Sequence, residues 1–518
     1  MNLAAVLLAT ADSEPDHHAL VGPEPVTYAQ LAARAAAVAA EVDRRAEPGD
    51  RVAIVADNEA AFVVAYLGTL AAGAVAVPLN VGSPSHELAR ELEAVDPVFA
   101  LASAAHADLA RRATTQLPTR RDDSSEESPQ RGIPVGVIDE VPDAPEPLEF
   151  VERGAGDLAV LLFTAGTAGA PKPAMLTHGS LLANIEQMQS HPGLKVTAAD
   201  VALGVLPLFH VYGLNVALGL ALHAGASVSL VDHFHPVETL ARVRNDRVTV
   251  VAGVPAIFDA WLGLDDEAAP RDALEHVRLC VSGATTLSPD TARRMRERFG
   301  VSVHDGYGLT EASPVVTTTA VETEPRPGSI GPPLPGIEVA LVDHDGKPAL
   351  EGDPGELVVR GANIFAGYWN DPATTNAVLV DGWLHTGDIA VADADGWLTL
   401  VDRAKDVVIV SGFNVFPGEV EDALRSHRDV EDVAVIGEPH PRTGETVVAY
   451  VVARPGQSPD PVELLRHAGR QLARYKLPTR VVVVDALPRT LAGKLVRREV
   501  SSAAAAERAV ADATPKPA

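Results

Sequence analysis

Short apolar runs that alternate with a helix-length segment constrain this chain more than any other feature. Residues 51–55 (Arg-Val-Ala-Ile-Val) and 74–78 (Ala-Val-Ala-Val-Pro) are such runs, with a longer apolar segment, 59–72, between them. Short apolar runs read as strands covered on both faces, and the longer segment reads as a helix. The pattern predicts an α/β fold. It resumes near residue 157 and continues to about 340. From 338 to 400 the runs shorten and are broken by Gly and Asp, as in Gly355-Glu356-Leu357-Val358-Val359-Arg360, which predicts a β-rich subdomain. A compact α+β unit is expected beyond about 403. At 518 residues the chain is too long for one core. The expected organisation is a large N-terminal α/β domain of several subdomains over 1–402, a small C-terminal α+β domain over 403–500, and a disordered tail over 501–518. Residues 118–132 lack an apolar face and read as a mobile surface loop.

Charge and cysteine content exclude several classes. Lys and Arg total 42 against 70 Asp and Glu, a formal charge of −28. That argues against nucleic-acid binding, and an anionic ligand must be held by local donors rather than by the field of the whole molecule. No apolar run reaches the roughly 18–20 residues of a membrane span. The N-terminus lacks the basic lead-in of a signal peptide, so a cytoplasmic protein is expected. Cys280 is the single cysteine, which excludes an intramolecular disulfide and a cysteine zinc site.

A glycine-rich segment carries the first chemical signal. The buried strand expected at 157–163 runs into Thr164-Ala165-Gly166-Thr167-Ala168-Gly169-Ala170-Pro171-Lys172, and a helix is expected next, with Ser180 as its cap and Leu181, Ile185 and Met188 on one face. Gly166 and Gly169 allow a tight turn in which N–H groups converge on phosphate oxygens. Thr164 and Thr167 add hydroxyl donors, and Lys172 adds a positive charge. No Gly precedes Lys172 and no Ser or Thr follows it, so this is not the Walker form of kinases and GTPases. On its own the segment also reads as an ordinary surface turn.

Further blocks follow in order: Gly306-Tyr307-Gly308-Leu309-Thr310-Glu311, Gly382-Trp383-Leu384-His385-Thr386-Gly387-Asp388, Asp402-Arg403-Ala404-Lys405-Asp406 with Ser411-Gly412-Phe413-Asn414, and Pro488-Arg489-Thr490-Leu491-Ala492-Gly493-Lys494. Together with the glycine-rich segment they resemble the adenylate-forming superfamily of acyl-CoA synthetases, peptide-synthetase adenylation domains and beetle luciferases. The similarity spans nearly the whole chain and points to the acyl-CoA synthetase branch. It implies ATP, Mg²⁺ and coenzyme A as cofactor, metal and co-substrate. It places Thr310 on the α-phosphate, Glu311 on Mg²⁺, Tyr307 with Gly306 and Gly308 at adenine, and Ser282-Gly283-Ala284 beside adenine and the acyl group. It also places Asp388 on the ribose hydroxyls and Arg403 on ribose or phosphate. Lys494 is implied as the catalytic cation between carboxylate and α-phosphate, delivered by a mobile C-terminal domain that pivots at Lys405 and brings Ser411-Gly412 to the pantetheine thiol. His210 matches a position that gates the acyl pocket or contacts the carboxylate. Each of these side chains also has a plain structural reading: a solvated acid for Glu311, a turn residue for Asp388, a surface ion pair for Arg403, core packing for Tyr307, a part-exposed core histidine for His210.

Around the glycine-rich segment the chain departs from the family at three points, and Asp402 stands where Gly is common before Arg403. Ala165 stands in place of a usual Ser, Ala168 in place of Thr, and Pro173 in place of Gly, which removes two hydroxyls and one N–H. Weaker ATP or pyrophosphate handling is the expected consequence, and a weakened nucleotide-binding protein stays open. Segments 207–213 and 253–256 supply mostly apolar or small side chains and no Arg or Lys for a second carboxylate. A medium- or long-chain fatty acid is expected first and an aryl acid second. Coenzyme A is the expected acceptor. Loading of a separate carrier protein and a luciferase-like oxygenase are the alternatives, and a homodimer is compatible with the sequence.

Overall fold

The computed structural model describes residues 1–117, 133–141, 147–164, 172–321, 326, 328–343, 345–350, 352–403, 406–410, 413–440, 444–489, 495–497 and 499–504. The expected loop at 118–132 and most of the expected tail lie outside the described residues. The chain forms two compact units, 1–338 with 359–384, and 339–358 with 385–518. The boundary expected at 402/403 thus falls inside the second unit.

The first unit holds two sheets. Strands β1 (His18–Val21) and β2 (Val26–Thr27) open the chain. Next come β3 (Arg51–Val55), β4 (Val75–Pro78), β5 (Phe99–Ala102), β6 (Val135–Val137), β7 (Leu158–Thr164) and β8 (Lys172–Thr177). These last six pair in the order β6-β5-β3-β4-β7-β8, parallel except for β7 with β8. Helix α1 (Ala60–Ala71) joins β3 to β4 and buries every residue from Phe62 to Ala71. A helix apolar on all sides belongs inside a layered core, as the sequence predicted. Strands β9 (Val201–Gly204), β10 (Ser227–Leu230), β11 (Val250–Gly253), β12 (Leu279–Ser282), β13 (Val303–Gly308) and β14 (Val315–Thr318) complete an eight-stranded sheet with β1 and β2. Its order is β14-β13-β12-β11-β9-β10-β1-β2, with β9 to β13 all parallel. Parallel strands raise all their carboxyl ends on one side, where ligand crevices form.

Two expectations are corrected. The glycine-rich segment does not lead directly into a helix; β8 intervenes. It pairs antiparallel with β7, Thr164 opposite Lys172, so residues 165–171 join two paired strand ends. Pro173 hid this strand, because proline is rare inside sheets. Its missing N–H is tolerated, and its carbonyl accepts the Trp369 N–H at 2.8 Å. Helix α2 (His178–Ser190) is then capped by Thr177, not Ser180. The two form a reciprocal box: Ser180 N donates to Thr177 Oγ1 at 2.9 Å, and Thr177 N to Ser180 Oγ at 3.1 Å. Leu181, Ile185 and Met188 are buried, as expected.

The β-rich region is divided between the two units, and the second holds the C-terminal α+β region. Strands β15 (Ile337–Val342), β16 (Gly355–Gly361), β17 (Leu379–Val380), β18 (Trp383–Ala392) and β19 (Leu398–Arg403) form one sheet, and the chain passes between units within β15, β16 and β18. A second sheet is built on the long antiparallel pair of Val430–His440 with Gly444–Ala453. Val433, Val435, Val447 and Val451 pack under it against Val420 and Leu424 of helix Pro417–Arg425. Among the described residues no helix is long and apolar enough to cross a membrane.

Candidate active site

The carboxyl ends of β12 and β13 converge with the segment after β9 on one cavity in the first unit. Ser282, Gly283 and Ala284 leave β12, Gly306 to Gly308 end β13, and Thr310 follows; all line the cavity with His210. Tight approach explains the glycines. A Cβ on Gly308 would stand 2.2 Å from the Pro314 carbonyl oxygen, and one on Gly283 about 3.0 Å from the Tyr212 ring. Ala284 takes a left-handed backbone at φ 67°. Thr310 and Glu311 begin a single 3₁₀ turn, Thr310–Ala312, which holds both side chains half-buried at the strand end.

The cavity itself is apolar and encloses about 90 Å³, against the ~10–15 Å³ that one water needs. Its walls are the alternate residues Val250 and Ala252 of β11 and Leu279 and Val281 of β12, the period-two face of a sheet. Ser282 and Tyr212 are among the polar groups at the wall. Ser282 is 1 % exposed, and its Oγ has no hydrogen-bond partner among the described residues. Tyr212 lines the cavity, and burial pushes its phenol far above its ordinary value, reinforced by Asp305 and Cys280. Behind the wall, burial lifts the Asp305 carboxyl to about 7, although the Leu287 and Gly306 N–H groups both donate to it.

A polar chain runs beside this mouth. The Tyr368 hydroxyl donates to Glu311 Oε1 at 2.6 Å. Lys172 Nζ lies over the Tyr368 ring at 5.7 Å and donates to Asp371 Oδ2 at 2.6 Å and Thr374 Oγ1 at 2.5 Å. Asp371 is also the N-cap of helix α3 (Pro372–Val378). The ammonium and the two Thr374 donors hold the Asp371 carboxyl below the usual range. Sequence reading had Lys172 and Glu311 but missed Tyr368, Asp371 and Thr374. An Asp before Pro signals a helix start and gives no sign of a partner elsewhere in the chain.

The remaining expected residues are distributed as follows. Thr164 ends β7, and its hydroxyl donates to the Lys172 carbonyl at 3.3 Å. His210 is exposed, and its Nδ1 accepts the Tyr212 N–H at 3.3 Å. Asp388 and Arg403 belong to the second unit, where they are register partners on β18 and β19. Asp388 is buried; its N–H donates to Thr386 Oγ1 at 3.1 Å, and Gly387 N–H to Glu356 Oε1 at 3.0 Å. Gly166, Thr167 and Gly169, together with Lys405, Ser411, Gly412 and Lys494, lie outside the described residues. Among the described residues no group of three or more His, Cys, Asp and Glu could hold a metal on its own.

Known proteins share this architecture. The model of the AMP-binding enzyme family matches residues 7–369, and that of the AMP-binding enzyme C-terminal domain matches 419–494. A feruloyl-CoA synthase of an Amycolatopsis species is 35% identical over 487 residues, covering 92% of this chain and 94% of that protein. A long-chain-fatty-acid–CoA ligase of Salmonella typhimurium is 33% identical over 513 residues, covering 92% and 90%. The crystal structure of ATP-bound MatB from Rhodopseudomonas palustris matches with a TM-score of 0.88 at 32% identity, over 97% of this chain and 98% of that one. The chain belongs to the AMP-binding enzyme family, as an acid–thiol ligase in the acyl-CoA synthetase branch of the adenylate-forming superfamily.

Proposed function

We propose that this ligase activates a medium- or long-chain aliphatic acid. A carboxylate oxygen attacks the α-phosphorus of ATP and pyrophosphate leaves, giving acyl-AMP. The sulfur of coenzyme A then attacks the acyl carbon, the thiol proton passes to solvent, and AMP leaves. The observation that carries the substrate class is the carbon-lined cavity, which follows β12 from Ser282 back to Leu279. Three residues of strand span about 10 Å, and each buried methylene is worth about 0.8 kcal/mol. A fatty chain exploits such a wall fully; a second carboxylate would find no cation among the lining residues.

In this reading Thr310 binds the α-phosphate and Tyr307 stacks on adenine between Gly306 and Gly308. Asp388 and Arg403 take the ribose, His210 gates the acyl entrance, and Thr164 with Lys172 flanks the phosphates. Lys494 supplies the cation at the attacking carboxylate, and Ser411-Gly412 admits the thiol arm. Glu311 fits Mg²⁺, because the hard ion prefers oxygen and is ordinarily held by one or two carboxylates plus substrate phosphates. When bound, the ion neutralises phosphate charge.

The Ser282 hydroxyl, partnerless among the described residues, and the Tyr212 phenol favour a second reading, an aryl acid whose ring oxygen meets them. A panel of aliphatic and aryl acids with ATP and coenzyme A, read by mass spectrometry, separates the two. Thioesters of saturated acids are expected, and products from ring acids alone overturn the first reading.

A further inference from the structure

The far end of the cavity is closed by a thin wall. Leu194 and Val196, from the segment after α2, line it opposite Ala202, Val250 and Leu279 at the starts of β9, β11 and β12. Leu194 and Val196 are buried, whereas Lys195 and Thr197 are exposed. One layer of chain therefore separates the cavity from solvent.

That layer is pinned at three successive residues. The Lys195 carbonyl accepts Arg278 Nη2 at 2.8 Å. The Gln189 side chain takes both backbone groups of Val196, accepting its N–H at 2.9 Å and donating to its carbonyl at 3.1 Å. Thr197 donates its N–H and hydroxyl to Asp200 Oδ2 at 2.8 and 2.9 Å. Arg278 and Asp200 are themselves locked together: Nε to Oδ1 is 2.7 Å, Nη2 to Oδ2 is 2.6 Å, and Thr249 adds a hydroxyl at 2.7 Å. Asp200 is 5% exposed and Arg278 44%. Arg278 and Thr249 each directly precede a cavity-lining residue, Leu279 and Val250.

We infer that residues 194–197 are the end-stop of the acyl cavity, and that the Asp200–Arg278 pair holds the stop in place and so fixes the longest chain admitted. This rests on the cavity being the acyl site. The polar clamp contributes nothing to the reacting carboxylate; Arg278, Asp200 and Gln189 are positioning residues that act through the backbone of 195–197.

The test is a homologous series of saturated acids, measured by calorimetric binding and by acid-dependent pyrophosphate release, in the wild type and three variants. In the wild type, affinity rises by about fourfold per methylene up to one length and then falls. Arg278→Lys keeps a cation beside Asp200 but loses the planar fork, and Gln189→Leu frees Val196 without touching charge. Both are expected to move the break to longer acids, with affinity for the first over-length acid rising about tenfold. Val196→Phe is expected to move it to shorter ones. Affinity for short acids stays within about twofold of wild type in Arg278→Lys and Gln189→Leu, whose side chains do not line the cavity. If all lengths weaken alike and the break stays put in the three variants, the clamp is structural only and the inference falls. A break that shifts without pyrophosphate release in any protein leaves the stop standing and removes the ligase reading. A wild type that binds no acid of any length removes the stop.

Discussion

Tyr368→Phe removes a single oxygen from the proposed metal side of the site. The phenol donates to Glu311 Oε1 at 2.6 Å, while the ring is held edge-on by Phe365 at 5.0 Å and lies under Lys172 Nζ. Phenylalanine keeps both ring contacts, so the packing should survive. A hydrogen bond to a charged acceptor contributes about 1.5–3 kcal/mol, and both side chains are half-buried, which limits screening by water. If Glu311 receives the Mg²⁺ that accompanies ATP, a carboxylate without its phenol must be ordered at the moment of binding. MgATP affinity should then fall about 10- to 100-fold, the range found when an orienting partner of a metal ligand is removed.

Calorimetric titration with MgATP, and separately with ATP in chelator, localises the effect. The loss is expected only in the first titration, with the melting temperature lowered by about a few degrees at most. A cycle with Glu311→Gln isolates the coupling: in that background Tyr368→Phe should cost almost nothing. Additive losses, or a variant that binds MgATP as tightly as wild type or tighter, would refute the orienting role. The second outcome would mean that the phenol competes with the metal for the carboxylate.

Three further outcomes are expected. Lys494→Ala should abolish acid-dependent pyrophosphate release yet leave thioester formation from supplied acyl-AMP largely intact; equal loss of both half-reactions counts against a domain that moves between them. His178 is buried, accepts the Leu3 N–H on Nδ1, and has its pKa lowered to about 4, chiefly by burial. Between pH 6.5 and 4 the unfolded chain binds a proton that the fold refuses. Stability therefore drops by about 3 kcal/mol as pH falls through that window, and His178→Asn should flatten this part of a denaturant-midpoint profile. Asp305 has the opposite sign: burial raises its pKa from 3.8 to about 7, so ionising it costs stability as pH rises from about 4 to 7. Asp305→Asn should be more stable relative to wild type at pH 8 than at pH 4, and a pH-independent difference would show that the carboxyl is not the group responsible.

Local signals made much of the site legible. Ser282 to Ala284 and Gly306 to Glu311 each follow an apolar strand run, and a parallel sheet carries such strand ends to one side. Two motifs far apart in sequence therefore meet at one cavity for a reason that alternation alone supplies. Legibility ends where a residue is held by another that carries no motif. Lys172 and Asp371 are 199 positions apart, and Arg278 and Asp200 are 78 apart. Nothing in the composition around Asp371 or Asp200 distinguishes them from the other acids of a strongly acidic chain. Thr177 and Ser180 show the same limit at short range, since either hydroxyl can cap a helix and only the paired strand before Thr177 decides which one does. The residues proposed to hold the nucleotide are thus the ones a motif reveals. The residues that fix how Lys172, Glu311 and the cavity floor are held appear only when the fold brings them together.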